Sequence, residues 1–428
     1  MIDKEVQQLL IQEARRQNNT LNLIASENYV SNAVREALGS VFVNKYAEGY
    51  PRARYYGGNV YVDEIEELAK RRARELFSLS SRTWDVNVQP YSGSPANLAV
   101  LHALVPVGEK IMGMSLSMGG HLTHGHKVSV TGKLWRQVSY GVDRWTERIN
   151  YDEVMRIAKK EQPKLIIAGA TAYSRIINFR RMKAIARAVG AYLFVDMSHF
   201  AGLVAGRVYP SPFPYADVVT TTTHKTLRGP RAAIIFSRTA LSKLIDKAVF
   251  PGLQGGPHEN QIAAIAVALR EAMKPSFKTY AAQVVKNTRT LAGEMKYFGW
   301  RVISGGTDTH LFLLDTASGS ILQASGSGMS GKEASDALER VGIIVNKNTI
   351  PFDERPPVDP SGIRIGAAAL TTRGMKEKEM KEVAFLIHSV LKRTTKREER
   401  MIRERVTRLC KAFPLYASHT GNSLFRKL

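Results

Sequence analysis

The stretch Val218-Val219-Thr220-Thr221-Thr222-Thr223-His224-Lys225-Thr226 places a lysine just past a run of β-branched residues. Such a run reads as a buried strand. An amine at a strand end, facing a cleft, becomes a competent nucleophile once burial and neighbouring cations lower its pKa. Upstream, Tyr192-Leu193-Phe194-Val195-Asp196 is a second hydrophobic strand that ends in an acid, with His199 close behind. One strand-crossover-strand unit fits between Asp196 and Lys225. A carboxylate and an amine at the ends of neighbouring strands suit pyridoxal phosphate, which needs a lysine for its Schiff base and an acid on its ring nitrogen.

Other stretches offer complementary chemistry. Ser92-Gly93-Ser94-Pro95-Ala96-Asn97 precedes an apolar helix. Ser94 is expected as the N-cap and Pro95 at the first helical position. Exposed amides, two hydroxyls and the helix dipole there make an anion site, and Gly93 allows a close approach. Without a neighbouring cofactor the same motif is an ordinary capped helix. Gly119-Gly120-His121-Leu122-Thr123-His124-Gly125-His126 has metal-like spacing, but its glycines disfavour regular presentation and no obvious carboxylate accompanies it. No metal is expected. Stacking on a planar ring, proton transfer or a structural role are the readings left for these histidines. Arg364 has the fork that suits a substrate carboxylate, although most arginines lie on surfaces. Tyr46, Glu48 and Tyr56 fall in a segment rich in tyrosine and glycine, where a carboxyl among phenols can act as acid or base. A packed tyrosine-rich loop is the alternative.

The elements that must hold these residues follow from hydrophobic pattern. Strands are expected at 86–89, 110–114, 165–168, 191–196, 218–222 and 232–236, with helices at 95–105, 152–160 and 181–188 between them. That alternation is α/β, with a mostly parallel sheet covered by helices and ligands at the carboxyl ends of the strands. Helices are also expected at 2–17, 62–77 and 259–273, and the segment 18–61 reads as a long loop. The chain divides by expectation into an N-terminal arm (1–25), a large domain (26–274), a smaller α+β domain (275–390) and a basic helical tail (391–428).

Composition sets further bounds. The 428 residues are 44% hydrophobic, enough for a large core in two or more domains. No secretory signal or bilayer-length apolar run is apparent, which favours a cytoplasmic protein. The single cysteine, Cys410, excludes a disulfide framework or a cysteine-based zinc cluster. The net charge is +23, of which residues 391–428 carry 11 Lys/Arg against 3 Asp/Glu. A solvated basic helix is the plain reading of that tail; a polyanion patch or a subunit contact are the others.

Taken together, the motifs resemble serine hydroxymethyltransferase, a pyridoxal-phosphate-dependent transferase of fold type I. The matching stretches include Leu23-Ile24-Ala25-Ser26-Glu27-Asn28, Asn44 to Pro51, Arg54 to Gly58, Gly119 to Gly125, Val195 to His199, Val218 to Lys225, Gly255-Gly256-Pro257 and Ser361 to Gly366. The resemblance implies a seven-stranded type of sheet and a homodimer with shared sites. It implies that Lys225 holds the cofactor, that Asp196 pairs with the ring nitrogen and that His121 stacks on the ring. His199 and Thr171 would lie near the phenolic oxygen, with His224 beside the lysine. Ser92, Gly93 and Ser94 would bind phosphate. Tyr46, Glu48, Tyr56 and Gly256 would come from the neighbouring subunit, with Glu48 as the acid/base group. Arg364 and Ser26 would hold the amino-acid carboxylate. Leu116, Gly120, Leu122 and Asn348 would line a pocket for a reduced pterin, either tetrahydrofolate or a carrier like tetrahydromethanopterin. Tyr91 stands where that family often has His, and Arg175 and Arg228 add charge suited to a differently charged pterin tail.

Two other functions fit parts of the pattern. A threonine or β-hydroxy-amino-acid aldolase would share the carbon–carbon cleavage without needing a pterin. A basic nucleic-acid-binding protein would show steeply salt-dependent binding through residues 391–428.

Overall fold

The protein is described here by a computed structural model covering residues 3–320 and 328–415. Its centre is a seven-stranded sheet. The strands are β1 (Trp84–Asn87), β2 (Lys110–Met114), β3 (Arg136–Tyr140), β4 (Leu165–Gly169), β5 (Tyr192–Asp196), β6 (Val218–Thr222) and β7 (Ala233–Arg238). In space they run β1-β7-β6-β5-β4-β2-β3. β7 is antiparallel to both neighbours, and the other pairs are parallel.

Alternation along each strand feeds two apolar layers. Leu193 and Val195 of β5 enter one layer, and Phe194 enters the other. With both faces covered, β4 and β6 are buried at every position, which is why β4 reads as a continuous apolar run and β6 as a run of β-branched residues. β3 was not anticipated. It is an edge strand carrying Arg136, Gln137 and Ser139, so it lacks the apolar signal of its neighbours.

The helices used below are α1 (Lys4–Asn19), α2 (Val60–Leu76), α3 (Gly93–Leu104), α4 (Glu259–Ala272), α5 (Pro275–Tyr297), α6 (Glu377–Leu391) and α7 (Lys396–Ala412). The segment expected as a long loop contains a short helix, Asn32–Leu38, capped by Ser31 Oγ, which accepts from the Val34 amide. No helix among the described residues is long and apolar enough to cross a membrane.

A second sheet is antiparallel. Its strands are β8 (Trp300–Val302), β9 (Leu311–Ser320), β10 (Asn346–Asn348) and β11 (Gly362–Gly366), in the order β8-β9-β11-β10. The core around it draws on distant parts of the chain. Leu21 and Leu23 enter it, and Leu21–Asn22 pairs in parallel with Ile343–Ile344. Helix α5 reaches both cores, placing Phe277, Ala281 and Val284 in the first and Leu291, Ala292 and Met295 in the second.

The basic tail differs from a solvated appendage. Ile402, Val406 and Cys410 recur along one face of α7 and close the second core, while the charged residues take the outer face. Residues 416–428 of that tail lie outside the described residues, as does the start of the expected helix at 2–17. Arg373 ties α7 to α1. Its guanidinium donates to the carbonyls of Asn18, Thr20, Cys410 and Phe413 at 2.8–3.0 Å, so one cation serves the carboxyl ends of both helices.

Candidate active site

The parallel pairing of β5 with β6 sets Asp196 opposite Thr220, at the carboxyl edge of the large sheet. The chain turns beyond Thr222 and delivers Lys225 to the same edge. Lys225 is buried, and no hydrogen bond or ion pair among the described residues reaches its ammonium. Burial, aided by the charges of Arg364 and Arg231 and opposed by Asp196, lowers its pKa to about 8. Roughly a tenth of the amine is therefore neutral at pH 7, far more than for an ordinary lysine.

Asp196 is held as an acceptor. Its Oδ2 accepts from Asn97 Nδ2 at 2.8 Å and faces His124 Nε2 at 3.2 Å, and its Oδ1 accepts from the Ser198 amide at 3.0 Å. Burial alone would raise its pKa. The hydrogen bond from His124, the favourable electrostatics of the His124 and His121 rings and the nearby Lys225 outweigh that and hold the carboxyl well below the usual range. The histidine-rich stretch thus does have a carboxylate partner, contrary to the sequence reading, because β5 brings Asp196 beneath it. No group of metal-ligating side chains forms among the described residues.

Asn97 and His124 were not singled out from sequence as partners of Asp196. Asn97 also bonds Thr123 Oγ1 and accepts from Thr220 Oγ1, each at 2.8 Å. The available signal was a lone amide on the apolar face of a helix.

Histidines surround the lysine without adding charge. Burial and neighbouring His124 lower His121 to about 4, and its Nδ1 lies 2.8 Å from Thr123 Oγ1. His199 stacks on His310, with Nδ1 and Nε2 3.3 Å apart, and burial drives both pKa values down. His310 sits at the entry to β9, in no motif that sequence could flag. Burial lowers His224 to about 3, and its Nδ1 has no partner among the described residues.

Two anion seats flank this cluster. Arg364, on β11, is buried with only neutral partners: Asn346 Oδ1 at 3.1 Å, the Thr171 carbonyl at 2.9 Å and Ser26 Oγ at 3.5 Å. Burial lowers its pKa to about 10, so it stays cationic at neutral pH, and no carboxylate among the described residues matches it. The second seat is the start of α3. Its cap is Ser92, not Ser94, and the helix begins at Gly93, leaving Pro95 at the third helical position. Pro95 is tolerated there because amides of the first turn lack helical partners anyway. Ser92 and Ser94 make no side-chain hydrogen bond among the described residues, so two hydroxyls and the helix start remain free for an anion.

The chain's similarity to known proteins agrees with these features. A family profile described as serine hydroxymethyltransferase matches residues 1–387. A Koribacter versatilis protein named serine hydroxymethyltransferase is 52% identical over 423 residues, covering 99% of this chain and 96% of the relative. One of the same name from Acidobacterium capsulatum is 54% identical over 415 residues, covering 97% and 94%. The chain belongs to the serine hydroxymethyltransferase family. It is accordingly a fold-type I enzyme that depends on pyridoxal phosphate, as the resemblance implied.

The residues present fit that cofactor of the serine hydroxymethyltransferase family. An amine buried without a hydrogen-bond or ionic partner among the described residues, an acceptor-only carboxylate and an open helix start match an aldehyde, a ring nitrogen and a phosphate. Gly93 is shaped for close approach, since a Cβ there would lie 2.7 Å from Thr222 Cγ2.

Not every sequence-predicted residue joins this cluster within one chain. Tyr46 and Glu48 are bonded to each other at 3.2 Å, and Tyr46 meets Tyr56 edge-on with ring centres 5.4 Å apart. They lie against Gly255 and Gly256 and make no bond to the Lys225 group. The negative charge of Glu48 raises the Tyr46 phenol pKa. Leu116 lies in a single turn, Leu116–Met118, before the buried Gly119-Gly120 pair, and Leu122 is exposed. A Cβ on Gly120 would overlap the Met114 carbonyl. Asn348 sits on β10, two positions from Asn346, the partner of Arg364.

The two extra arginines are engaged elsewhere. Arg175 donates to Ser304 and pairs with Asp308 at 3.2 Å. Arg228 lies over the Tyr280 ring at 4.8 Å.

Proposed function

We propose that the protein works as a homodimer that reversibly transfers the hydroxymethyl carbon of serine to a reduced pterin of the folate type, leaving glycine. The observation that carries this reading is the buried Lys225 and Asp196 at adjoining strand ends, with Arg364 buried beside them and unmatched by any carboxylate among the described residues. When bound, pyridoxal phosphate supplies an electrophilic carbon and an electron sink. Lys225 would hold it, Asp196 would meet its ring nitrogen, and Ser92, Gly93 and Ser94 would seat its phosphate. His121 would cover the ring face, and Thr171, His199 and His224 would border it.

The chain's own groups then divide the work. Arg364 and Ser26 bind the substrate carboxylate and fix its orientation. The neutral histidines exclude water without competing for that anion. Lys225, with a pKa of about 8, can give and take a proton near neutrality. Glu48, bonded to Tyr46 and near Tyr56, moves protons at its carboxylate oxygen. Leu116, Gly120, Leu122 and Asn348 receive the pterin. Arg175 pairs with Asp308 and Arg228 lies over the Tyr280 ring, and assays with both carriers decide between tetrahydrofolate and a carrier like tetrahydromethanopterin.

Sharing of sites is supported by the surface around Glu48. Val41, Val43, Tyr55, Val60 and Tyr61 are all more than 60% exposed there, an apolar patch suited to a second copy. In that dimer Tyr46, Glu48, Tyr56 and Gly256 of one chain would face Lys225 of the other.

Mixing inactive Lys225→Ala and Glu48→Gln chains tests the arrangement. Hybrid dimers with shared sites contain one intact site, so activity returns; if each chain holds a complete site, none returns. The visible band gained by the wild type with pyridoxal phosphate, and lost in Lys225→Ala, tests the cofactor role. Serine cleavage that ignores tetrahydrofolate would move the reading to an aldolase.

A further inference from the structure

Tyr91 immediately precedes the Ser92 cap and makes three contacts with one loop. Its amide donates to Gln254 Oε1 at 3.1 Å, and its phenol donates to the Gly256 carbonyl at 2.9 Å. Its ring stacks on His258, with centres 4.3 Å apart and planes 7° from parallel. Gln254 Nε2 in turn donates to the Gln89 carbonyl at 2.9 Å, so the loop is fastened to the chain on both sides of the contact.

The loop so fastened is the seat of Tyr46 and Glu48. A Cβ on Gly255 would lie 3.4 Å from Glu48 Oε1, and one on Gly256 would lie 3.5 Å from Tyr46 Cε1. Two successive glycines have the greatest backbone freedom and no side chains to restrain it. Their conformation must be fixed from outside, and Tyr91 supplies both a hydrogen bond and, through His258, a stacked ring. Burial, reinforced by the charge of Glu48, pushes the Tyr91 phenol pKa up, so it stays protonated and able to donate.

We propose that Tyr91, braced by His258, is a positioning residue that locks the Gly255-Gly256 backbone and thereby links the phosphate seat at Ser92 to the Tyr46–Glu48 pair. The consequence for cofactor binding rests on the roles given above to Gly256 and Glu48. The restraint itself does not.

The test uses the full-length protein, wild type, Tyr91→Phe and His258→Leu. The first variant keeps the ring and removes the hydrogen bond; the second keeps the bond and removes the stack. Amide exchange of residues 254–258 is measured without cofactor, and the dissociation constant for pyridoxal phosphate is then titrated. Both variants should exchange faster in that segment, with other segments unchanged. Tyr91→Phe should bind the cofactor roughly three- to tenfold more weakly, the scale of one hydrogen bond. Unchanged protection at 254–258 overturns the proposal, and so does faster exchange spread evenly over the chain. A wild type that does not bind pyridoxal phosphate would instead defeat the functional reading, leaving the exchange result to judge the positioning role.

Discussion

Gly93 and Thr222 meet where the first turn of α3 crosses the end of β6, and a Cβ on Gly93 would stand 2.7 Å from Thr222 Cγ2. A β-branched side chain on a strand has little freedom to yield. Gly93→Ala should therefore destabilise the protein by about 1–3 kcal/mol and weaken cofactor binding. Thr222→Ser removes the offending methyl, so the double variant should recover most of the loss. Urea unfolding of the four proteins checks it, and a double variant no better than Gly93→Ala would refute the contact.

Lys225 gives the unliganded protein a pH dependence with a definite sign. Its folded pKa of about 8 lies below the unfolded value of 10.5, so the unfolded chain binds more protons between those limits. Stability contributed by this site must rise with pH across that window and be lost below it. Lys225→Met should raise cofactor-free stability at pH 7 by about 3 kcal/mol, and the gain should vanish near pH 10.5. Denaturant titrations at both pH values provide the comparison.

Arg364 is a buried cation awaiting an anion. Arg364→Lys keeps the charge and loses the planar fork, so KM for serine should rise roughly 10- to 100-fold. Arg364→Met should lose serine binding while costing the unliganded protein less than about 2 kcal/mol, because the desolvated charge removed offsets the hydrogen bonds lost to Asn346 and the Thr171 carbonyl. Steady-state kinetics and thermal melts of both variants measure these effects.

Cys410 is buried and its thiol pKa is raised by burial, which makes it a natural reporter of the second core. In the native state it should resist alkylation. Arg373→Met leaves the carbonyl groups at the ends of α1 and α7 without their shared donor and should cost about 3 kcal/mol. Where labelling follows opening of this core, Cys410 should then react roughly a hundredfold faster. Equal labelling rates in the two proteins would count against the tie.

What sequence disclosed, and what it withheld, follows the physics of burial. Strands β2 and β6 were placed to the residue, since β2 is apolar after Lys110 and β6 is a run of β-branched residues, patterns that fit strands covered on both faces. The edge strand β3 carried no such mark. Lys225, Asp196 and Arg364 were legible because each is a polar group beside an apolar run. Asn97, His124, Asn346 and His310 were not, because their roles come from contacts across the fold that no spacing encodes. Ser92 displaced Ser94 as the cap because the helix starts two residues earlier than the Ser-Pro signal suggests. The tail read as solvated because charge dominates its composition, while three residues on one face decide its packing.

The second core contains Leu21 and Leu23 from near the start of the chain and Ile402, Val406 and Cys410 from near its end. During synthesis it cannot close until α7 has left the ribosome, long after the large sheet has all its strands. Arg364 is fixed by the strands of that core. On the roles proposed above for Lys225, Ser92 and Arg364, the order of emergence makes the cofactor end of the pocket the first to form and the substrate end the last. A nascent or truncated chain could grip pyridoxal phosphate before it can hold serine.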